Sequence, residues 1–112
     1  MAKTITTALA FRPRPTAFLT GAPEHAITIL CRLQAAGIRV PAEVSVLCGW
    51  DDNCLDFTYP AISHYRTSGE EMGRKIGRML MDLIEHGSGK ARTQMVMPEF
   101  VAGGTLGPSR GS

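Results

Sequence analysis

Five consecutive residues, Gly49-Trp50-Asp51-Asp52-Asn53, hold the densest candidate chemistry in this 112-residue chain. An aspartate there can accept paired hydrogen bonds from the hydroxyls or amines of a ligand, while the Trp50 ring offers an apolar stacking face. The competing structural reading is an aspartate that caps the next turn beside a tryptophan that only packs. A third reading has Asp51 and Asp52 together hold Mg²⁺ for phosphoryl transfer. Its other parts are missing: Gly21-Ala22-Pro23 lacks the repeated glycines of a phosphate loop, and no lysine ends the third predicted strand, although Arg66 could neutralise phosphate charge. His25, His64 and His86 are widely separated on different predicted elements and read as surface or capping histidines. Cys48 reads as a small hydrophobe in the core rather than a nucleophile. No catalytic residue, metal or cofactor is implied.

These residues must be positioned by strands and helices whose order is legible. Thr16 to Thr20 is short and apolar and runs into Gly21-Ala22-Pro23, as a buried strand ending in a turn would. Residues 24 to 36 follow as a helix stopped by Gly37, with Ala26, Ile29, Leu30 and Leu33 forming its core stripe. Ile27 and Cys31 lie outside that stripe, so the helix is apolar over more than half its circumference and should cover a second surface, such as a partner subunit. Val44 to Cys48 is β-branched and continuously apolar, suited to the interior of a parallel sheet. A strand, a helix and a strand make a right-handed βαβ unit, and ligand sites in such sheets lie beyond the carboxyl ends of the strands. That rule selects Gly21 to Glu24 and Gly49 to Asn53.

A third strand is expected at Ile62 to Arg66, then a capping box at Ser68-Gly69-Glu70-Glu71 opening a helix that Gly87 closes. Met72, Ile76, Met79, Leu80 and Leu83 form its apolar stripe. Residues 2 to 10 have modest helical character without a cap, and Arg12-Pro13-Arg14-Pro15 reads as an extended lead-in. Ser88-Gly89-Lys90 reads as a loop, Thr93 to Met97 and Glu99 to Ala102 as short extended segments, and Gly103 to Ser112 as a frayed tail.

Composition bounds the class. Hydrophobic residues make up 44% and charged residues 20%, as in an ordinary globular domain and unlike a disordered or disulfide-dense chain. No run approaches the roughly 20 apolar residues of a membrane helix, so no membrane partner is expected. The amino terminus has no apolar segment before a small-residue cleavage site, so secretion is not signalled. Cys31, Cys48 and Cys54 are odd in number and form no C-x-x-C pair, which suits free thiols in a reducing cytoplasm. The net charge is +2, yet residues 41 to 71 carry six acidic side chains against Arg66 alone. The basic residues are scattered without interleaved aromatics, which gives little support for direct nucleic-acid binding.

Several ordered blocks carry a resemblance that spans about residues 12 to 106. Arg14-Pro15-Thr16-Ala17-Phe18, Ala35-Ala36-Gly37-Ile38-Arg39-Val40-Pro41, and Glu43 through Gly49-Trp50-Asp51-Asp52 are followed by Pro60-Ala61-Ile62-Ser63-His64-Tyr65-Arg66, Glu70-Glu71-Met72-Gly73 and Met97-Pro98-Glu99-Phe100-Val101. Together they resemble the lactose/galactose-repressor family of transcriptional regulators. The resemblance implies an α/β fold, part of the periplasmic-binding-protein type I architecture of two lobes around a cleft, with a mainly parallel sheet flanked by helices. It implies that residues 1–112 are a C-terminal fragment of an effector-binding domain. Residues 12–66 and 91–106 would belong to the C-terminal lobe, and 67–90 would be a helix of the other lobe.

It further implies a cytoplasmic, non-enzymatic homodimer that binds a sugar or purine-like effector and reaches DNA only through an N-terminal helix-turn-helix domain outside these residues. Asp51 matches the family's effector-binding aspartate, Trp50 the usual aromatic, and Thr67 a frequent glutamine beside the cleft. Ala22-Pro23 departs from the pattern, standing where an Asn-Asp pair is usual and offering no side-chain hydrogen bond. Ile27 and Cys31 fall on the helix of the family's subunit contact, with Leu55, Phe57 and Tyr59 in a neighbouring loop. A solute-binding protein for sugar transport shares the fold and is the alternative; the missing secretion signal and three unpaired cysteines weigh against it.

Overall fold

The computed structural model describes residues 2–87, 93 and 95–109. In chain order the elements are α1 (Ala2–Ala10), β1 (Ala17–Thr20), α2 (Pro23–Ala35), β2 (Ser45–Cys48), a 3₁₀ turn (Asn53–Asp56), β3 (Ser63–Arg66), α3 (Gly69–His86) and β4 (Glu99–Val101). The chain divides into two compact units, Met1–Arg66 with Phe100–Ser112, and Thr67–Glu99.

In the first unit the sheet order is β1-β2-β3-β4. β1 and β2 are parallel with Thr20 opposite Cys48, and β2 and β3 are parallel with Cys48 opposite His64. Down the chain from β4, Phe100 meets Tyr65 at a ring separation of 5.5 Å, Gly103 N–H donates to Ser63 Oγ, and Gly104 N–H donates to Ala61 O. One residue number rises as the other falls, so this segment runs antiparallel to β3. The sheet is therefore mixed and mostly parallel.

β2 is central because its sequence suits burial on both faces: Val46 and Cys48 are fully enclosed. α2 covers one face with Ala26, Ile29, Leu30 and Leu33, which join Val44, Val46, Cys48, Leu55, Ile62 and Ile5 in a single core. Burying each of the larger side chains stabilises the fold by roughly 1.5–3 kcal/mol. Pro23 opens α2 at its first turn, where a missing N–H costs nothing. α2 closes in a Schellman motif: Gly37 adopts φ 74°, its N–H donates to Gln34 O, and Ile38 N–H donates to Leu33 O. Ile38 then packs against the core.

Residues 103–109 overturn the expectation of a frayed tail. Thr105 is 0% exposed; its Oγ1 accepts from Ser63 N–H at 2.9 Å and donates to Val46 O at 2.6 Å. Ser45 Oγ donates to Gly107 O and accepts from Gly107 N–H. The segment thus straps the amino ends of β3 and β2. The reason is polar satisfaction: Ser45, Ser63 and Thr105 are all buried, and each finds its partners in this strap. The tail expectation for residues 110–112 lies outside the described residues, as does the loop at 88–90. Residues 93 and 95–98 join no strand.

In the second unit α3 begins at Ser68, whose Oγ accepts from Glu71 N–H at 3.3 Å. The Glu71 carboxylate lies 3.4 Å from Lys75 Nζ, one turn along the helix. None of the residues of α3 is buried, and Ile76, Leu80, Leu83 and Ile84 are all exposed. Among the described residues, no helix is long and apolar enough to cross a membrane.

Candidate functional site

The site is built where β2 leaves the sheet. Gly49 N–H donates to Thr20 O at 2.7 Å, extending the β1–β2 ladder by one bond before the chain turns outward. Trp50 and Asp51 follow directly, so both stand at the carboxyl end of the central strand. Trp50 is 59% exposed and available for stacking.

β3 supplies the other half. Side chains alternate along a strand, so His64 and Arg66 share a face. The register sets His64 beside Cys48, and the residues that follow Cys48 bring Asp51 over that same face. His64 Nε2 lies 3.1 Å from Asp51 Oδ1, and Arg66 Nε lies 3.5 Å from Asp51 Oδ2. His64 is buried, and its Nδ1 sits 2.9 Å from Ile62 O. Nε2 approaches the carboxylate off the axis of a hydrogen bond, which leaves this buried nitrogen without a regular partner among the described residues.

Asp52 does something else. Its Oδ1 accepts from Cys54 N–H at 2.9 Å and caps the 3₁₀ turn, as the structural reading of an Asp in this segment expects. The Cys54 amide, and then the Cys54 thiol, hold the Asp52 carboxyl below its ordinary value. In return the Asp52 carboxylate, aided by desolvation, pushes the Cys54 thiol up. The two aspartates are therefore split between tasks, and among the described residues no group of three or more His, Cys, Asp or Glu side chains could hold a metal ion.

Ala22 stands at the end of β1 as the cap residue of α2, with no side-chain hydrogen bond. Thr67 is half-buried and belongs to the second unit. Of the expected contact residues, Cys31, Phe57 and Tyr59 are exposed and Ile27 is half-buried. Gln34 Nε2 donates to Tyr59 O at 2.8 Å, which ties the loop carrying Phe57 and Tyr59 to the α2 face of Ile27 and Cys31. Leu55 corrects the expectation: it is 0% exposed, because the 3₁₀ turn directs it into the core, and it has no surface to offer a partner.

The expectation of a surface or capping His64 is overturned, since it is buried beside Asp51, and composition and spacing set neither it nor Arg66 against that carboxylate. Their i, i+2 spacing at the end of a predicted strand is the signal that could have found them; the pairing register that aims them at Asp51 is not visible in local sequence.

Comparison with known proteins places this geometry. Residues 2–106 match the family model described as periplasmic binding protein-like domain. The chain is 34% identical over 101 residues to the HTH-type transcriptional repressor PurR of Proteus mirabilis, covering 88% of this chain and 29% of that protein. It therefore spans under a third of that relative's length. That relative's name describes a repressor of transcription. Among solved structures, a LacI family transcriptional regulator from Bifidobacterium animalis subsp. lactis superimposes with TM-score 0.83 at 22% identity, over 96% of this chain and 40% of that one. A LacI family regulator from Arthrobacter sp. FB24, in complex with lactose, gives TM-score 0.73 at 23% identity over 94% and 40% of the two chains. The resemblance to lactose/galactose-repressor regulators is borne out.

Proposed function

Because this chain belongs to the periplasmic-binding-protein-like domain family, we propose that it is the C-terminal effector-binding and dimerisation portion of a LacI-type transcriptional regulator. The carboxyl ends of β1 and β2 form the effector surface, with Asp51 as the polar contact, Trp50 as the stacking face, and Ala22 at its margin. The effector is a small molecule of the sugar or purine-like class, and binding biases lobe closure rather than catalysing a reaction. Operator contact belongs to a helix-turn-helix outside these 112 residues. The face of α2 bearing Ile27 and Cys31, with Phe57 and Tyr59 beside it, mediates the homodimer in the cytoplasm, and α3 belongs to the other lobe.

One observation carries this reading: a half-buried carboxylate at a strand's carboxyl end, braced by two basic side chains and flanked by an exposed indole. Ligands in open α/β sheets bind at such ends. Trp50 is the single tryptophan, so its fluorescence reports directly on the site. Titration with a panel of neutral sugars, sugar acids and purine bases should give a saturable change with at least one member. Asp51→Ala should weaken that binding about tenfold or more, the equivalent of about 1.4 kcal/mol. Equal affinity in wild type and Asp51→Ala would overturn the assignment.

A further inference from the structure

The carboxylate expected to receive ligand hydroxyls has a basic side chain close to each of its oxygens. Oδ1 of Asp51 faces His64 Nε2 at 3.1 Å and Oδ2 faces Arg66 Nε at 3.5 Å. His64 is 1% exposed and, without a regular hydrogen bond at Nε2, is aimed at Asp51 from beneath. Asp51 is consequently held between a buried imidazole and a surface guanidinium. A carboxylate in that position holds the Arg66 guanidinium near the strand end by charge.

The remaining polar equipment of the rim is sparse. At the end of β1, Gly21, Ala22 and Pro23 offer no side-chain donor or acceptor, and Asp52 is committed to Cys54 N–H. Arg66 is different. Its side chain is 47% exposed, Asp51 engages it at Nε, and among the described residues it has no second anionic partner. A planar guanidinium presents paired N–H donors whose spacing matches the two oxygens of a carboxylate or phosphate. A neutral polyol can offer that fork only uncharged hydroxyl acceptors, whereas an anion offers two coplanar oxygens and the opposite charge.

We propose that Arg66 is the anion anchor of this site and that the effector is a small polyol bearing a carboxylate or phosphate, with Trp50 against its apolar face. Asp51 and His64 are positioning residues for Arg66. This proposal rests on the reading of the strand ends as an effector site and narrows its ligand class.

The test is Trp50 fluorescence titration of the full chain at matched ionic strength. The probes are D-glucuronate, D-galacturonate, D-gluconate and D-glucose 6-phosphate, with D-glucose and D-galactose as neutral counterparts. At least one charged probe should saturate with affinity at least tenfold tighter than its neutral counterpart. Whether the acids or the phosphate show the preference identifies the anionic group. Added salt should weaken the charged probe selectively, since screening acts on the ion pair. Arg66→Gln should abolish the preference and Arg66→Lys, which keeps the charge but loses the fork, should reduce it about tenfold. Both substitutions are at a half-exposed position outside the core, so the variants should keep the wild-type fold. A neutral sugar that binds as tightly as its charged counterpart, loses affinity in Asp51→Ala and ignores Arg66→Gln would overturn the anion anchor while leaving the site reading intact. If no charged probe changes Trp50 emission saturably, the anion anchor falls, and the site reading falls with it only if the neutral sugars and purine bases are silent too.

Discussion

A buried histidine that faces two acceptors, the Ile62 carbonyl and the Asp51 carboxylate, is a demanding thing for a small core to hold. His64 stays because β3 carries it into the space beside Cys48. His64→Ala would open a cavity and should lower stability by about 2–4 kcal/mol, read as a lower urea midpoint at unchanged slope; an unaltered midpoint would refute the packing role. At Asp52 the prediction is a pH dependence. Its folded value is depressed below 3.8 by the Cys54 amide and then the thiol, so the cap contributes fully above the ordinary carboxyl range and is lost as pH falls through the folded value. Asp52→Ala should therefore be less stable than wild type at neutral pH, and the difference, read by chemical denaturation at a series of pH values, should shrink as pH falls through the folded value; a pH-independent difference would refute the role of the charge. Trp50 and Asp51 were legible because a β-branched run ending in glycine announces a strand end. Arg66 and His64 were not, since their meaning depends on which residues β2 sets opposite them. Leu55 was placed at the contact with Phe57 and Tyr59 because the resemblance assigns their loop as a whole, and the 3₁₀ turn that rotates Leu55 inward is not legible in that assignment.

Elements with a local signature came through well. The glycine stop of α2, the serine cap of α3, and the three parallel strands each follow from a few adjacent residues. The strap of residues 103–109 has the opposite character. Glycine and small polar residues look like a tail when read locally, yet here they serve close approach, and only the buried serines of two distant strands explain them. At Gly103 an added Cβ would strike the Ala61 carbonyl, and at Gly107 it would come 3.2 Å from the Pro41 carbonyl oxygen. Thr105 holds the device together. Thr105→Val keeps the shape but strands Ser63 N–H and Val46 O, so it should cost about 1–3 kcal/mol for each buried group left unpaired. Thr105→Ser keeps the hydroxyl and should recover most of that loss. Chemical denaturation of the two variants side by side checks the assignment; equal destabilisation would mean that the methyl, not the hydroxyl, matters.

At the scale of the whole molecule, each compact unit exposes an apolar surface among its described residues. The first is the α2 face with Phe57 86% and Tyr59 93% exposed beside it; the second is the stripe of α3, where Ile84 is 69% and Ile76 58% exposed. Contiguous apolar surface of this kind drives association in water, and isolated helices are marginal without packing on such a face. The chain should therefore sediment with an average mass that rises with concentration. The two surfaces make separable contributions because each can be changed without touching the other or the core. Leu80→Gln with Ile84→Gln removes apolar surface from α3, and Phe57→Ser with Tyr59→Ser removes it from the loop bound to α2. If the α2 face forms the dimer, the second pair should return the chain to one-chain mass at low concentration, while the first pair suppresses only the larger species that grow as concentration rises. Loss of the dimer with the α3 pair alone would shift the subunit contact to that helix and overturn the role given to Ile27 and Cys31.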